Sequence, residues 1–358
     1  LYTSHTRDQT GTGWPPPPPP TGMRVPTFDK GVLGSIDEAI YIGQQADIPV
    51  HVSHLQVTLP WGVVTAEQIL EKIENARQGP GAIDITGCIH TYDVGWGPLN
   101  YRLPQEYKEM NGIKKEYKSG PGRVKVTQAT EEVFKYVPAE QTWICSYEAN
   151  SKYDLKHLSD LPDVPGSDCN TPAECFVDIL ALDPKTANEP ESADAPFAYT
   201  NEIDGPVKKG IIPGDHIFMS SDGLASSNED KRETPRVHPR SFNNATRVLT
   251  KYVGPGLMDL RTAIRKMTSL PADKFNLQDR GRIEEGYFAD IVVIDRKNLK
   301  AHAKLAEDVT TDFGLERKYS GGVEYSLVNG VLAIENGTAT DQRAGKILRM
   351  SEGRVIGS

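Results

Sequence analysis

The chain has 358 residues, 37% of them hydrophobic and 25% charged, and a net charge of -9 at pH 7. That length exceeds what a single core usually serves, so one large domain and a smaller one are expected. The composition excludes a disordered chain. No run approaches the roughly 20 apolar residues of a membrane-spanning helix, and the absence of a basic block argues against nucleic acid as a partner.

In chain order, Leu1 to Thr6 reads as the end of a strand. It leads into Gly11 to Trp14 and six consecutive prolines, Pro15 to Pro20, which enter neither helix nor sheet. Residues 10 to 30 therefore read as an exposed polyproline insertion, either a spacer or a ligand for a proline-binding module. From Val32 to Ala46 the residues Val32, Leu33, Ile36, Ala39 and Ile40 recur at helical spacing, and Asp47 and Pro49 stop the helix. A short β-branched run, Ile48 to Ser53, ends in His54. Thr65 to Ala76 is helical again, and Ile83 to Thr86 begins another strand. Strand and helix alternating at this pace predict βα units on a parallel sheet.

The same rhythm predicts a strand at Thr142 to Cys145 and a helix at Glu174 to Leu182. Residues 183 to 213 read as loop. A further strand, His216 to Ser220, ends in Ser221-Asp222-Gly223. From Gly256 to Leu270 the residues Leu257, Leu260, Ile264 and Met267 form one helix face. Beyond Gly281 short strands take over at Asp290 to Asp295, Val323 to Val328 and Val331 to Ile334, and Asn329-Gly330 is a strong hairpin signal.

Four cysteines, Cys88, Cys145, Cys169 and Cys175, follow no CxxC spacing. Neither a disulfide framework nor a structural zinc site is signalled, and a reduced, cytoplasmic protein is expected. Residues 1 to 20 hold no basic segment followed by an apolar one, so no signal peptide is expected.

Three polar residues stand at the C-terminal ends of predicted strands: His5, His54 and Asp222. Imidazole and carboxylate are zinc ligands, and that edge of a parallel barrel is where active sites form. Each residue also has a plain structural reading, as a hydrogen-bonded strand end or an Asp-Gly turn. His51, three before His54, points to the opposite face of a strand and reads as a structural neighbour. His90 and Tyr92 share a face and line either a pocket or the core. Asp222 is placed to act as general acid and base, and Arg240 in His238-Pro-Arg240 can grip a carboxylate through two hydrogen bonds.

The runs Ser35 to Ile40, Ile48 to Leu55, Ser220 to Gly223, His238 to Arg240, Arg247 to Leu249 and Ile264 to Ala272 resemble, in order, the N-acyl-D-amino-acid deacylases of the metal-dependent amidohydrolase superfamily. The series closes with Asp279 to Gly281, Gly286 to Asp290 and Val328 to Gly330. Tyr2 to Arg7 resembles the segment after the family's fourth barrel strand.

The resemblance implies an α/β fold, a TIM-type (β/α) barrel incomplete at its N-terminal side with a small C-terminal β-sandwich-like subdomain. The corresponding divisions are 1–30 (end of strand four and the proline-rich insertion), 31–280 (barrel portion) and 281–358 (β subdomain and tail). It implies one or two zinc or other divalent ions, with His5 and His54 as ligands on strands four and five. Asp222, after strand eight, becomes ligand and catalytic base, and Tyr92, His238 and Arg240 become substrate contacts. The reaction implied is hydrolysis of the amide of an N-acyl-(D-)amino acid by a metal-bound hydroxide, in a cytoplasmic enzyme with a small-molecule substrate and no nucleic-acid or membrane partner. The family's first-strand His-x-His pair and second-strand Cys have no counterpart here. An inactive fragment that self-associates or serves an assembly, and a cyclic-amide hydrolase of the same superfamily, are the alternatives.

Overall fold

The computed structural model describes residues 1–5, 28–29, 31–58, 62–103, 107, 119–146, 148–182, 197–200, 203–223, 238–301, 320–351 and 354–357. The polyproline run lies outside the described residues.

Strand β1 (Tyr2–His5) is followed by helix α1 (Gly31–Ala46), strand β2 (Val50–Ser53), helix α2 (Ala66–Gln78) and strand β3 (Ile85–Ile89). Helix α1 ends where Asp47 turns left-handed at φ 50°. Its Gly43 lies against β2, where a Cβ would come within 2.5 Å of Val50 Cγ2. Helix α2 starts in a capping box: Gln68 N–H donates to Thr65 Oγ1 at 3.3 Å and Thr65 N–H donates to Gln68 Oε1 at 2.9 Å, so two orphan donors are satisfied reciprocally.

Next come β4 (Gly95–Pro98), α3 (Gly120–Phe134), β5 (Thr142–Ser146), α4 (Pro172–Leu182), β6 (Phe197–Thr200), α5 (Gly205–Ile211) and β7 (Ile217–Met219). Helices α6 (Arg240–Arg247), α7 (Leu260–Met267) and α8 (Ser269–Lys274) follow, with a π-helical turn at Val248–Val253 between α6 and α7. The chain then forms β8 (Ile291–Ile294), β9 (Val323–Val328), β10 (Val331–Glu335), β11 (Thr338–Ala339), β12 (Leu348–Ser351) and β13 (Arg354–Gly357).

The expected parallel sheet is present, in the order β1-β2-β3-β7. Its register sets His5 beside Ser53, Val52 beside Gly87 and Ile89 beside Met219. Strands β3 and β7 are buried at every position, as expected of parallel strands covered on both faces. One core joins the sheet to its helices through Val32, Ile36, Val52, Ile69, Ile73 and Ile217.

Several expectations change. Thr142–Ser146 is a strand, but it belongs to an antiparallel sheet of order β4-β6-β5, and β3 pairs directly with β7. A short apolar run fixes a strand without fixing its partner. Residues 197–200 and 205–211, inside the stretch read as loop, form β6 and α5. Ile203 bridges Thr58, and Asp204 caps α5 by accepting from Val207 N–H at 3.1 Å. These antiparallel strands have their own core around Ile144, Leu158, Phe176 and Leu180.

The helix expected at 256–270 is split into α7 and α8, and the anticipated core face is kept only in part, with Met267 packed against the core and Leu260 half-buried. Leu257 and Ile264 are exposed, while Ala263 and Lys266 are buried. Lys266 Nζ donates to the carbonyls of Gly214 and of Ile217, the latter at 3.0 Å. That satisfied cation and the small Ala263 allow a close approach to β7, and burial lowers the Lys266 ammonium to about 8.

Cys169 and Cys175 form a disulfide, against the expectation of reduced thiols, because the turn into α4 brings their Cα atoms to 5.1 Å, within bridging range. Cys88 and Cys145 are buried and form no disulfide. The Asn329-Gly330 hairpin is confirmed between β9 and β10, with both residues at positive φ. Its sheet, β11-β10-β9-β8, exposes Val292, Val293 and Val331. Among the described residues no helix is long and apolar enough to cross a membrane.

Candidate active site

The four parallel strands end on one edge, and most of the residues singled out in the sequence gather there. His5 closes β1, and His54 follows β2 directly. Their rings meet at right angles, with centroids 4.2 Å apart. His54 is buried and left-handed at φ 32°, an uncommon conformation for a non-glycine residue. Two neighbours hold it: its N–H donates to Cys88 Sγ at 3.2 Å, and Leu55 N–H donates to the Cys88 carbonyl at 2.6 Å. Leu55 fills the notch over Gly87, where a Cβ would lie 2.0 Å from Leu55 Cδ1.

Burial lowers the His54 imidazolium below its ordinary range, and the charges of His5 and Arg240 push the same way while Asp222 opposes them. The ring is thereby kept as a neutral donor. His51 faces elsewhere, as its spacing predicts. Its Nδ1 lies 2.9 Å from Thr86 Oγ1 and its ring stacks on Phe218, so its role is structural. Burial, with the Lys274 charge second, brings it down to about 4.

Asp222 stands three residues past β7 at φ 48°. Gly223 behind it packs on α6, where a Cβ would come within 2.7 Å of Ser241 Cα. Arg240, the first residue of α6, reaches back so that its Nη2 lies 2.9 Å from Asp222 Oδ2. The sequence alone sets Arg240 aside for a substrate carboxylate; in the structure it is engaged with Asp222.

Two buried imidazoles flank that guanidinium. His238 Nδ1 accepts from Arg240 N–H at 3.0 Å, so the ring proton is on Nε2, which donates to the Val94 carbonyl at 3.2 Å. His90 Nδ1 accepts from Tyr92 N–H at 3.3 Å, and its Nε2 stands 3.4 Å from Arg240 Nη1. Burial first, and Arg240 second, hold both imidazoles far below their ordinary range. They are therefore neutral. His238 is enclosed, with its nitrogens engaged by backbone, and acts as a support for Arg240.

Tyr92 presents its ring edge to His238, with centroids 5.0 Å apart, and Arg247 lies over its face at 4.1 Å. The Tyr92 hydroxyl is buried and has no hydrogen-bond partner among the described residues. Burial pushes it up to about 12, so it is a proton donor in hydrogen bonds rather than a base.

Five further residues contribute that no sequence pattern marks. Cys88 braces His54. Asn244 ties two strand ends together, donating to the Ser220 carbonyl at 2.5 Å and accepting from Thr91 N–H at 2.9 Å. Behind the site, Asp93 pairs with buried Lys208 and with Lys251. None of the five belongs to a local motif; a lone cysteine in a strand and an Asn-Asn pair carry no signal by themselves.

His5 and His54 offer two nitrogen donors of the type zinc takes. Among the described residues, no group of three or more His, Cys, Asp or Glu is arranged to hold a metal ion. The donor chemistry fits a divalent metal, and the ligand number falls short of a closed site.

Residues 233–334 match the amidohydrolase family model. Within that class the likeness is to the D-aminoacylases. The chain is 35% identical over 147 residues to the D-aminoacylase of Alcaligenes xylosoxydans xylosoxydans, covering 41% of this chain and 27% of that protein. It is 39% identical over 140 residues to the N-acyl-D-glutamate deacylase of the same organism, covering 39% and 25%. A solved D-aminoacylase, described for its binuclear metal centre, superposes with a TM-score of 0.65 at 22% identity, over 96% of this chain and 55% of that one. The chain thus spans about half the length of its structural relative, and the likeness at that identity is one of fold.

Proposed function

We propose that this chain carries the acid-base half and part of the metal cradle of an N-acyl-D-amino-acid deacylase. The observation that supports it most is the convergence of His5, His54 and Asp222 on one strand edge, with both His54 and Asp222 held at positive φ; conformational strain of this kind gathers at functional sites. In this reading the four parallel strands are half of an eight-stranded (β/α) barrel and β8 to β11 belong to a small β-sandwich subdomain. Because β3 pairs directly with β7, counting back from an eighth strand makes β1 the fifth rather than the fourth.

His5 and His54 are the residues that would hold the metal, which would supply Lewis acidity when bound, and Asp222 on the same strand edge is the acid-base group. The solved D-aminoacylase is described as activated by one metal and attenuated by a second, so one site suffices for the chemistry proposed here. Arg240 binds the substrate carboxylate through its guanidinium fork. Tyr92 donates a hydrogen bond to the acyl or carboxylate oxygen. Asp222 takes a proton from the attacking water and returns it to the departing nitrogen. His238 and His90, neutral and enclosed, keep Arg240 in place without competing for anions.

The test is hydrolysis of N-acetyl-D-amino acids by the zinc-loaded chain. Asp222→Asn is expected to lower kcat by about 10²-fold or more with zinc content measured alongside. Zinc-loaded, folded protein that hydrolyses none of these amides would remove the reading for this chain by itself. A second reading, an assembly half that needs further polypeptide to complete its ligands, is favoured by the two-imidazole count. It predicts activity only after a polypeptide carrying the missing ligands is added.

A further inference from the structure

Arg240 and Asp222 are assigned above to different tasks, yet they hold each other. The guanidinium is almost enclosed, with 7% of its side chain exposed, while the Asp222 carboxylate is 34% exposed and lies on the open side. The groups packed around Arg240 on its inner side are neutral: His238 receives its backbone N–H, and His90 turns a ring nitrogen toward Nη1. His90 lies between two donors, with Tyr92 N–H 3.3 Å from Nδ1 and Arg240 Nη1 3.4 Å from Nε2, and a neutral ring accepts from one of them and brings no charge to the guanidinium. A carboxylate therefore answers the Arg240 charge, and in this structure that carboxylate is Asp222.

We infer that the Arg240–Asp222 pair is an internal stand-in for the substrate carboxylate: an incoming carboxylate displaces Asp222 from the guanidinium, and that displacement frees Asp222 for proton transfer. The inference rests on the deacylase reading for the roles of the two residues. An N-acyl amine without a carboxylate lacks the group that opens the pair. Selectivity for amino-acid amides is then built into the release of the base as well as into binding. The exchange conserves charge, one carboxylate replacing another on a buried cation. Asp222 can leave because its side chain is partly exposed, whereas Gly223, pressed on Ser241, keeps the backbone beside it fixed to α6.

The prediction concerns binding and needs neither metal nor turnover. With chelator present, calorimetric titration of the full chain with N-acetylglycine measures affinity for a carboxylate, and N-acetylglycinamide is the uncharged control. Asp222→Asn removes the internal competitor and is expected to tighten N-acetylglycine roughly tenfold or more, leaving the amide unchanged. Arg240→Met and the double variant are expected to lose the carboxylate preference. Where a variant binds nothing, circular dichroism and its melting curve show whether it is folded. Carboxylate-dependent stabilisation of Asp222→Asn beyond that of the unmodified chain is a second readout.

Unchanged N-acetylglycine affinity in folded Asp222→Asn, or equal tightening of the amide, overturns the inference. A chain that shows the exchange but hydrolyses no N-acyl amino acid keeps the exchange and loses the deacylase reading. Hydrolysis without the exchange does the reverse.

Discussion

Burial acts in the same direction on three histidines next to the proposed site. His51, His90 and His238 are all held below their ordinary range, each with desolvation as the largest cause. A histidine that stays neutral when folded and protonates when unfolded makes the unfolded state the stronger proton binder. For His51 the window runs from about 6.5, its ordinary value, down to about 4. Stability is therefore complete above that window and is lost as pH falls through it, at up to about 1.4 kcal/mol per pH unit for each such group. Urea midpoints are expected to drop between pH 7 and pH 5, and His51→Gln to flatten the slope by about one proton. A flat profile for the unmodified chain would mean that these rings are hydrated. At this scale the sequence was informative about identity and silent about state. The three-residue spacing of His51 and His54 separated a structural ring from a candidate ligand. Nothing in His238-Pro-Arg240 foretold that Arg240 would hold Asp222, because that pairing depends on how α6 docks against the turn after β7.

Strands and helices place these residues through a few tight fits. Gly87 is one: Leu55 occupies the space a side chain would need, and that fit holds His54 in its left-handed turn. Gly87→Ala is expected to cost about 1–3 kcal/mol by overpacking, seen as a lower melting temperature. Unaltered stability would show that Leu55 moves freely. The disulfide at the start of α4 closes a loop of only six residues, for which chain-entropy arguments give about 2 kcal/mol. Thiol titration of denatured, unreduced protein is expected to find two reactive cysteines, rising to four on reduction; four without reductant contradict the bond. The hydrophobic period made α1, α2, β2, β3 and β7 legible, since each buries its apolar run against one core. It misled for Thr142–Ser146, whose partners β4 and β6 lie tens of residues away in sequence. It misled in part for α7, where Met267 meets the core as expected but Ile264 is exposed and the buried Lys266, satisfied by two carbonyls, takes the inner side.

For the whole molecule, the ordered series of motifs carried the family likeness, and the pairing of β1, β2, β3 and β7 turns it into a geometric statement. Residues separated by more than 200 positions reach one strand edge. What the sequence left open is how those residues are occupied, which depends on tertiary contacts: a guanidinium on the proposed base, a thiol under the proposed ligand, and two imidazoles without a third donor among the described residues. The account stands on the edge formed by His5 and His54. Its most direct test is calorimetric zinc titration of the full chain against His5→Ala and His54→Ala. Binding of one zinc that weakens tenfold or more in either variant is the predicted result. Zinc affinity unchanged in both variants, with the fold intact, would contradict it.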